Sequence, residues 1–176
     1  MTGTVEALRR AIRDVPNFPK PGIVFRDVTP VLLDASLFAR AIGLMADPYR
    51  DAGVSRVVSI ESRGFLFGAP IALELGAGIV PIRKPGKLPA AAQRVEYALE
   101  YGTDALEMHH DAIGAGDRVL VVDDVLATGG TAAAAAQLIG GTGGVLVGFT
   151  FLIELDALGG RARLHDKRVE ALLHYT

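Results

Sequence analysis

The sequence predicts an α/β fold in which helices flank a central, mostly parallel sheet. Residues 119–122 and 145–155 are near-continuous apolar runs, a pattern typical of strands buried on both faces of a parallel sheet. Residues 35–51 instead place their apolar side chains along one helical stripe. Polar turns directly follow the apolar runs 57–60 and 119–122. Because open α/β sheets bind ligands at the carboxyl ends of their strands, these two turns are the candidate site.

Length and composition indicate one domain spanning residues 1–176. Hydrophobic residues make up 50% of the chain and charged residues 22%, which is ordinary for a soluble α/β protein. The chain has no cysteine, so it forms no disulfide and is compatible with a reducing cytoplasm. The first ten residues lack the apolar core of a signal peptide, and the longest apolar run, 145–153, is about half of a membrane span. We therefore expect a cytoplasmic protein with no membrane partner.

The charge balance bears on the partner. A formal net charge of −2 argues against a nucleic-acid partner, because nucleic-acid binders usually carry a basic excess. An anionic small molecule would need a local positive cluster instead. Arg83, Lys84 and Lys87 supply one, with no acidic residue between positions 79 and 95.

The first half of the chain reads as a short N-terminal region followed by alternating helices and strands. Apolar spacing predicts an amphipathic helix over residues 4–13. Three prolines within six residues predict that residues 15–22 have no regular structure. The helix over 35–51 is expected to end before Gly53. The elements predicted next are strands at 57–60 and 79–82 and a helix at 65–75.

The second half begins with a segment that fits neither helix nor core strand. Residues 83–101 combine Pro, Gly and three cations with a later alternating pattern, which predicts a mobile flap with β-ribbon character. Such flaps suit a reaction from which water must be excluded. His109 and His110 would point to opposite faces of a strand and are assigned no metal. The remaining predictions are a loop at 111–117, a helix stop at 140–144, a strand at 145–155, and a short helix and an edge strand within 159–176.

The most informative stretch is VLVVDDVLATGGT, residues 119–131. It places Asp123 and Asp124 at the carboxyl end of a central strand. Thr128 to Thr131 then form a turn that offers two hydroxyls and unobstructed backbone N–H groups, and an alanine-rich helix follows. Such a turn suits a phosphate.

Strand, acid pair, Thr-Gly-Gly-Thr turn and helix resemble the phosphoribosyl pyrophosphate (PRPP) motif of the type I phosphoribosyltransferases. Further segments resemble the adenine-specific branch of that family in the family's own order: PGIVFRDVTP, ESRGFLFG, RKPGKLP and LEYGT. The resemblance covers nearly the whole chain. It implies a single-domain fold with an N-terminal hood, residues 1–34, and a flexible flap, residues 83–101. It also implies transfer of 5-phosphoribose from PRPP to adenine to give AMP, with Mg²⁺ as cofactor, adenine and PRPP as partners, and a homodimer.

The resemblance also assigns roles to individual residues. Phe25 would stack on the purine while the backbone of Val24 and Arg26 reads its edge. Glu100 would carry the purine proton, and Arg63 and Lys87 would assist the leaving pyrophosphate. Asp124 would meet Mg²⁺ directly or through water. The residues implied to bind PRPP are Ser62, Arg83, Lys84, Tyr101, Asp123, Asp124, Ala127, Thr128, Gly129, Gly130 and Thr131.

Alternatives remain at several positions. By residue type alone, Phe25 could be a core side chain, Arg63 a surface charge and Glu100 a solvated acid in a ribbon. The flap sequence AAAQRVE departs from many relatives, which have hydroxyl-bearing or bulkier residues there. A Walker loop does not fit, because no lysine lies between Arg118 and Thr131, and the glycine order excludes a dinucleotide fingerprint. Two other functions stay open: a PRPP-binding regulator without catalysis, and the same transfer to another purine such as hypoxanthine.

Overall fold

The computed structural model describes residues 2–98, 102–164 and 167–176. Its α-helices and strands, in chain order within each class, have the following bounds. The helices are α1 (Thr2–Ala11), α2 (Thr29–Leu33), α3 (Ala35–Ala46), α4 (Gly64–Glu74) and α5 (Gly130–Gly140). The strands are β1 (Arg13–Pro16), β2 (Val24–Asp27), β3 (Arg56–Ile60), β4 (Gly78–Ile82), β5 (Ala92–Ala98), β6 (Thr103–His109), β7 (Arg118–Leu126), β8 (Val145–Leu155) and β9 (Val169–Tyr175).

A five-stranded sheet forms the centre, in the order β4-β3-β7-β8-β9. All four of its strand pairings are parallel, which confirms the predicted fold class. β7 is the middle strand, so the candidate acid pair lies on the most protected strand of the sheet. Two antiparallel ribbons stand apart from this sheet, β1-β2 and β5-β6.

Both faces of the sheet are covered, as expected of parallel strands. Successive residues of β7 alternate between the two layers: Val119 and Val121 pack with α5, whereas Leu120 and Val122 pack with α3 and α4. All four side chains are fully buried. Truncating one of them to alanine would cost about 2–5 kcal/mol, so these residues determine stability rather than chemistry.

Two predicted element boundaries were wrong, those of the helix over residues 35–51 and of the irregular segment 15–22. The stripe over 35–51 is an α-helix only to Ala46, because Pro48 follows and residues Asp47–Tyr49 tighten to a 3₁₀ turn. Residues 15–22 were predicted irregular, yet Val15 and Pro16 belong to β1. Proline is tolerated there because it ends a strand of a two-stranded ribbon, where a missing N–H is least costly.

The antiparallel ribbon includes a strand that lies after the predicted flap, because β5 (Ala92–Ala98) pairs with β6 (Thr103–His109). The mobile flap over residues 83–101 stays a prediction. The sequence does not predict β6 as a strand, since TDALEMH mixes charged and apolar residues irregularly. The long strand β8, the helix stop after Gly140 and the edge strand β9 are confirmed. Within the described ranges, no helix has the length and apolar character needed to cross a membrane.

Candidate active site

The acid pair lies inside β7, three and two residues before the strand ends. Asp124 is 4% exposed, and Asp123 is partly buried. Space for Asp123 depends on Gly64, the first residue of α4. A Cβ on Gly64 would lie 2.7 Å from Asp123 Oδ1 and 3.2 Å from the Val122 carbonyl oxygen. The glycine of the ESRG segment therefore lets α4 start directly against the acidic end of β7.

The turn after β7 surrounds a small hollow of about 80 Å³. Gly129 has φ +78°, a conformation that favours glycine, and it caps the start of α5. The first backbone N–H groups of a helix have no intrahelical acceptors, so they and the helix dipole make this hollow suitable for a phosphate. The hollow is lined by every residue of the predicted turn, namely Ala127, Thr128, Gly129, Gly130 and Thr131.

The far side of this turn rests on Gly160, which begins a 3₁₀ segment, Gly160–Leu164. A Cβ on Gly160 would lie 2.1 Å from the Ala127 carbonyl oxygen, and one on Gly129 would lie 2.3 Å from the Gly160 carbonyl oxygen. The two backbones therefore touch, and Gly160 supports the phosphate turn from behind. The sequence carried no signal for this role, because the contact joins residues about thirty positions apart.

A larger cavity of about 550 Å³ opens beside the acids. This volume lies in the range of small-molecule sites. Its walls come from the hood, the β3–α4 turn, the first residues of the flap (Lys84) and the carboxyl-terminal parts of β7 and β8. The lining residues are Ile23, Val24, Phe25, Arg26, Ile60, Glu61, Ser62, Arg63, Lys84, Asp123, Asp124, Val125, Ala127, Thr131 and Leu155.

Arg63 connects the two ends of this cavity. Its Nε lies 2.8 Å from Asp124 Oδ2, and its guanidinium carbon lies 5.0 Å from the centre of the Phe25 ring. Phe18 meets the same ring edge-on, at a centroid distance of 5.2 Å. Phe25 thus presents a ring face inside the cavity, and the Arg63 guanidinium lies over that ring. Arg63 is not a simple surface charge.

The two acids have unusual protonation behaviour. Burial, together with the neighbouring Asp124 charge, raises the pKa of Asp123 well above its ordinary value. Burial also raises the pKa of Asp124, although the Arg63 guanidinium opposes that shift. Oδ2 of Asp124 is buried and accepts no hydrogen bond from the described residues. Two carboxylates with so little compensation favour a ligand that brings hydroxyl donors or positive charge.

The base of the flap is organised by Glu61. Its carboxylate accepts hydrogen bonds from Arg83 Nε at 3.2 Å, Arg83 Nη2 at 3.1 Å and the Lys84 backbone N–H at 2.9 Å. These bonds, above all that from the Arg83 side chain, lower the pKa of Glu61. Lys84 turns its ammonium toward Asp104, and its Nζ lies 3.3 Å from the Tyr97 hydroxyl. The Lys84–Asp104 ion pair therefore connects the β5-β6 ribbon to the cationic segment, residues 83–87.

The structure brings together most of the residues singled out from the sequence. The predicted base-binding residues Val24, Phe25 and Arg26 share one cavity with Arg63 and the acid pair. Of the three cations at 83–87, Lys84 lines the cavity, whereas Arg83 and Lys87 do not. Arg83 instead pairs with Glu61 and donates to the Lys87 carbonyl oxygen. Glu100 and Tyr101 lie outside the described residues.

Several lining residues were missed in the sequence. Glu61 had a usable signal, because it is a charged residue directly after a buried strand, at the edge where such sheets bind ligands. Val125 and Leu155 had none, since an apolar residue at a strand end is indistinguishable from a core residue. The peptide bond between Glu61 and Ser62 is cis and lies directly before the Ser62-Arg63 bond.

Comparison with known proteins agrees with this geometry. The phosphoribosyl transferase domain family model matches residues 32–173. An adenine phosphoribosyltransferase of Myxococcus xanthus is 59% identical over 174 residues, covering 99% of this chain and 95% of the relative. The crystal structure of the Rhodothermus marinus adenine phosphoribosyltransferase superposes with a TM-score of 0.95 at 50% identity, covering 99% of this chain and 100% of that one. The Saccharomyces cerevisiae enzyme, complexed with adenine and an imino-altritol bisphosphate, has a TM-score of 0.93 at 41% identity, covering 98% and 100%.

Fold, acid pair and phosphate turn thus define a phosphoribosyltransferase of type I architecture. At this level of identity over nearly complete chains, the protein belongs to the adenine phosphoribosyltransferase family.

Proposed function

We propose that this protein transfers the 5-phosphoribosyl group of PRPP to N9 of adenine, giving AMP and pyrophosphate in purine salvage. The observation that carries the proposal is the arrangement on β7: a partly buried and a buried acid side by side, a phosphate-sized hollow after them, and an aromatic face in the adjoining cavity. Relatives that share this architecture are named for the same reaction.

The PRPP end of the site uses β7 and the turn after it. The 5-phosphate would lie against the N–H groups and hydroxyls of residues 127–131. Asp123 and Asp124 would accept hydrogen bonds from the ribose hydroxyls, which would satisfy the buried Asp124 oxygen. The pyrophosphate would lie between the Ser62-Arg63 turn and Lys84, which line the same cavity.

The base end uses the hood. Adenine would stack on Phe25, whose ring already carries a planar cation in the ligand-free protein. The backbone of Val24 and Arg26, in the same strand, would read the edge of the base. Arg63 would leave Phe25 when pyrophosphate oxygens become available to it. Glu100 would move the purine proton, and Tyr101 and Lys87 would approach with the flap.

Mg²⁺ is the cofactor that we propose. The donor set fits it, because carboxylate oxygens are hard ligands and Asp124 Oδ2 is buried without a hydrogen bond from the described residues. Arg63 already lies 2.8 Å from that oxygen, so the fit is best through a water molecule. When bound, Mg²⁺ would neutralise charge on the pyrophosphate and ribose oxygens.

The protein would contribute mainly position and charge. A sugar-cation transition state requires little nucleophilic help, so holding the base over the anomeric carbon supplies much of the rate. Arg63 and Lys84 would stabilise charge that develops on the leaving group. The β5-β6 ribbon would exclude water, which would otherwise hydrolyse PRPP.

Turnover across a panel of free bases tests the proposal. Purified protein is supplied with PRPP and Mg²⁺, and nucleotide formation is measured for adenine, hypoxanthine and guanine. We expect AMP formation with adenine at least 100-fold more efficient, in kcat/KM, than formation of the other nucleotides, a discrimination attainable when buried polar groups read the base. Preference for hypoxanthine would overturn the assigned base. PRPP binding without nucleotide formation from any base would indicate a regulator instead.

We also propose a single domain over residues 1–176 that works as a homodimer. Support comes from an apolar groove of about 450 Å³ between α3 and α4, lined by residues such as Phe38, Ile42 and Leu73. Leu73 is 83% exposed, and a second copy would cover it. Sedimentation equilibrium should give twice the chain mass, and Leu73→Glu should shift it toward the monomer while Leu158→Glu, an equally drastic change on another surface, should not. A cytoplasmic location, expected from the cysteine-free sequence, stays a prediction.

A further inference from the structure

The hood strand β2 is held to the body of the protein by side chains. β2 pairs with β1 in a separate two-stranded ribbon, and in the described ranges this ribbon shares no ladder with the central sheet. Yet β2 supplies Val24, Phe25 and Arg26 to the cavity wall. The distance between this wall and the sheet therefore depends on whatever fastens the ribbon to the sheet.

Tyr175, in the edge strand β9, makes that connection. The guanidinium carbon of Arg26 lies 4.2 Å from the centre of its ring, and that of Arg9, from α1, lies 5.0 Å from it. Arg9 also donates from Nη1 to the carbonyl oxygen of His174 at 2.8 Å. One aromatic ring of the central sheet thus contacts two elements of the hood, α1 and β2.

The position of Tyr175 relates it directly to the cavity. In the parallel pairing of β8 with β9, Tyr175 lies beside Leu155, which lines the cavity. Tyr175 therefore stands at the ligand-binding edge of the sheet, one strand away from the cavity wall. Tyr175 packs against the same hydrophobic core cluster as Leu155 and Leu172.

Arg26 is held from two sides. Its Nη1 forms an ion pair with Asp14 in the partner strand β1, and its guanidinium faces the Tyr175 ring. Its side chain is only 20% exposed. Because Arg26 follows Phe25 in the same short strand, fixing Arg26 also fixes the direction in which the Phe25 ring faces the cavity.

We propose that Tyr175 is a positioning residue for the purine base: its ring holds Arg26, and through it the strand that carries Phe25, at the distance from the sheet that the base requires. Tyr175 acts through Arg26 and touches no substrate. Its loss should loosen the base slot and leave the ribose-phosphate site on β7 unchanged. This inference rests on the proposed use of Phe25 for adenine.

Steady-state kinetics of Tyr175 variants test the inference. Tyr175→Leu keeps apolar volume and thus the fold, but removes the aromatic face. We expect it to raise the KM for adenine about tenfold, with kcat and the KM for PRPP changed less than about twofold, because one lost cation–π anchor has roughly that effect. Tyr175→Phe keeps the face and should restore the wild-type KM for adenine.

Three outcomes would overturn the inference: an unchanged KM for adenine in Tyr175→Leu, an equal rise in both KM values, or failure of Tyr175→Phe to restore the wild-type value. The first would mean that the ring is irrelevant to the base, and the second that it merely supports the fold. Because wild-type AMP formation is measured in the same assay, these outcomes are distinguishable from an incorrect activity.

A double-variant cycle gives an independent test. Arg26→Lys keeps the charge that faces Asp14 but loses the planar group that stacks on Tyr175. If Arg26 and Tyr175 act as one unit, the double variant should raise the KM for adenine no further than Tyr175→Leu alone. Multiplication of the two single effects would show that they act independently and would contradict the inference.

Discussion

The two ends of the cavity are built in different ways. The ribose-phosphate end is made almost entirely by β7, the turn 127–131 and α5, which are contiguous in the chain. The base end instead depends on the hood strand β2, which contributes Val24, Phe25 and Arg26, and between the two ends the cavity wall is completed by the β3–α4 turn and by Lys84 of the flap, both distant in the chain. A site formed by one contiguous segment can be recognised as a sequence motif. A site assembled from several distant segments can be recognised only in the folded structure.

The charges of the two ends also differ. In the ribose-phosphate end, burial raises the pKa values of Asp123 and Asp124, because its effect outweighs the Arg63 charge and the backbone hydrogen bonds that oppose it. At the flap base, hydrogen bonds from Arg83 and from Lys84 lower the pKa values of Glu61 and Asp104, respectively. The acids of β7 thus favour the protonated form, whereas Glu61 and Asp104 favour the charged form.

Removing both β7 acids should have the largest effect. Asp123→Asn combined with Asp124→Asn preserves volume, so we expect a folded protein whose kcat/KM falls by about a thousandfold or more, since the ribose and Mg²⁺ contacts are lost together. AMP formation and circular dichroism are the measurements. Asp111→Asn, an exposed acid in a turn, is the matched control and should match wild type. Near-normal turnover in the double variant would contradict the role assigned to Asp123 and Asp124.

Next in size is the phosphate turn. Gly129→Ala places a Cβ 2.3 Å from the Gly160 carbonyl oxygen, so either the turn or the 3₁₀ segment must shift. We expect the KM for PRPP to rise about 10- to 100-fold, with a smaller effect on the KM for adenine. Gly159→Ala is a sharp control, because φ is +62° there but the Cβ would meet no described atom within 4 Å. If both variants behave alike, backbone strain rather than the contact with Gly160 is responsible.

At the base end, Phe25→Ala should act on the other substrate. Loss of the stacking face is expected to raise the KM for adenine about tenfold or more and to leave the KM for PRPP within about twofold. The control is Phe18→Ala, which removes the edge-on neighbour of Phe25 but no residue of the cavity wall. A KM for PRPP that rises as much as that for adenine would erase the distinction between the two ends.

The smallest expected effect is on stability and depends on pH. A carboxyl whose pKa is raised by folding stabilises the folded state fully below its unfolded pKa, and this contribution is lost as pH rises through the folded pKa. Asp123 is such a group, so the ligand-free protein should lose stability as pH rises above about 4. Asp123→Asn cannot ionise and should be more stable than wild type by about 0.5–2 kcal/mol at pH 8.

Thermal unfolding of the two proteins between pH 4 and pH 8 checks the sign. The difference in Tm should amount to about 2–4 °C per kcal/mol at pH 8 for a chain of this size and should shrink toward pH 4. A wild-type protein more stable than Asp123→Asn at pH 8 would mean that the acid is compensated even without ligand. The contrast between the raised pKa values of the β7 acids and the lowered pKa values of Glu61 and Asp104 would then be wrong.

Sequence patterns predicted those elements whose signal is local. The apolar run of β7 defined a strand buried on both faces, and the glycine and threonine residues after it defined a turn. The patterns failed where a neighbour in space decided the outcome. The second ribbon strand, β6, owes its place to pairing with β5, and β1 exists because β2 returns beside it. Propensity is weak for such strands, so context overrides it.

The sequence by itself determined the fold class, the family and the order of chemical groups along β7, because those depend on residues adjacent in the chain. Only the tertiary structure decided that Arg63 joins Asp124 to Phe25, that Gly160 supports the phosphate turn, and that Tyr175 fastens the hood. Each of these contacts joins residues that lie far apart in the chain, and their distance in space is set by the packing of the whole sheet. No local pattern of residue types encodes such a distance.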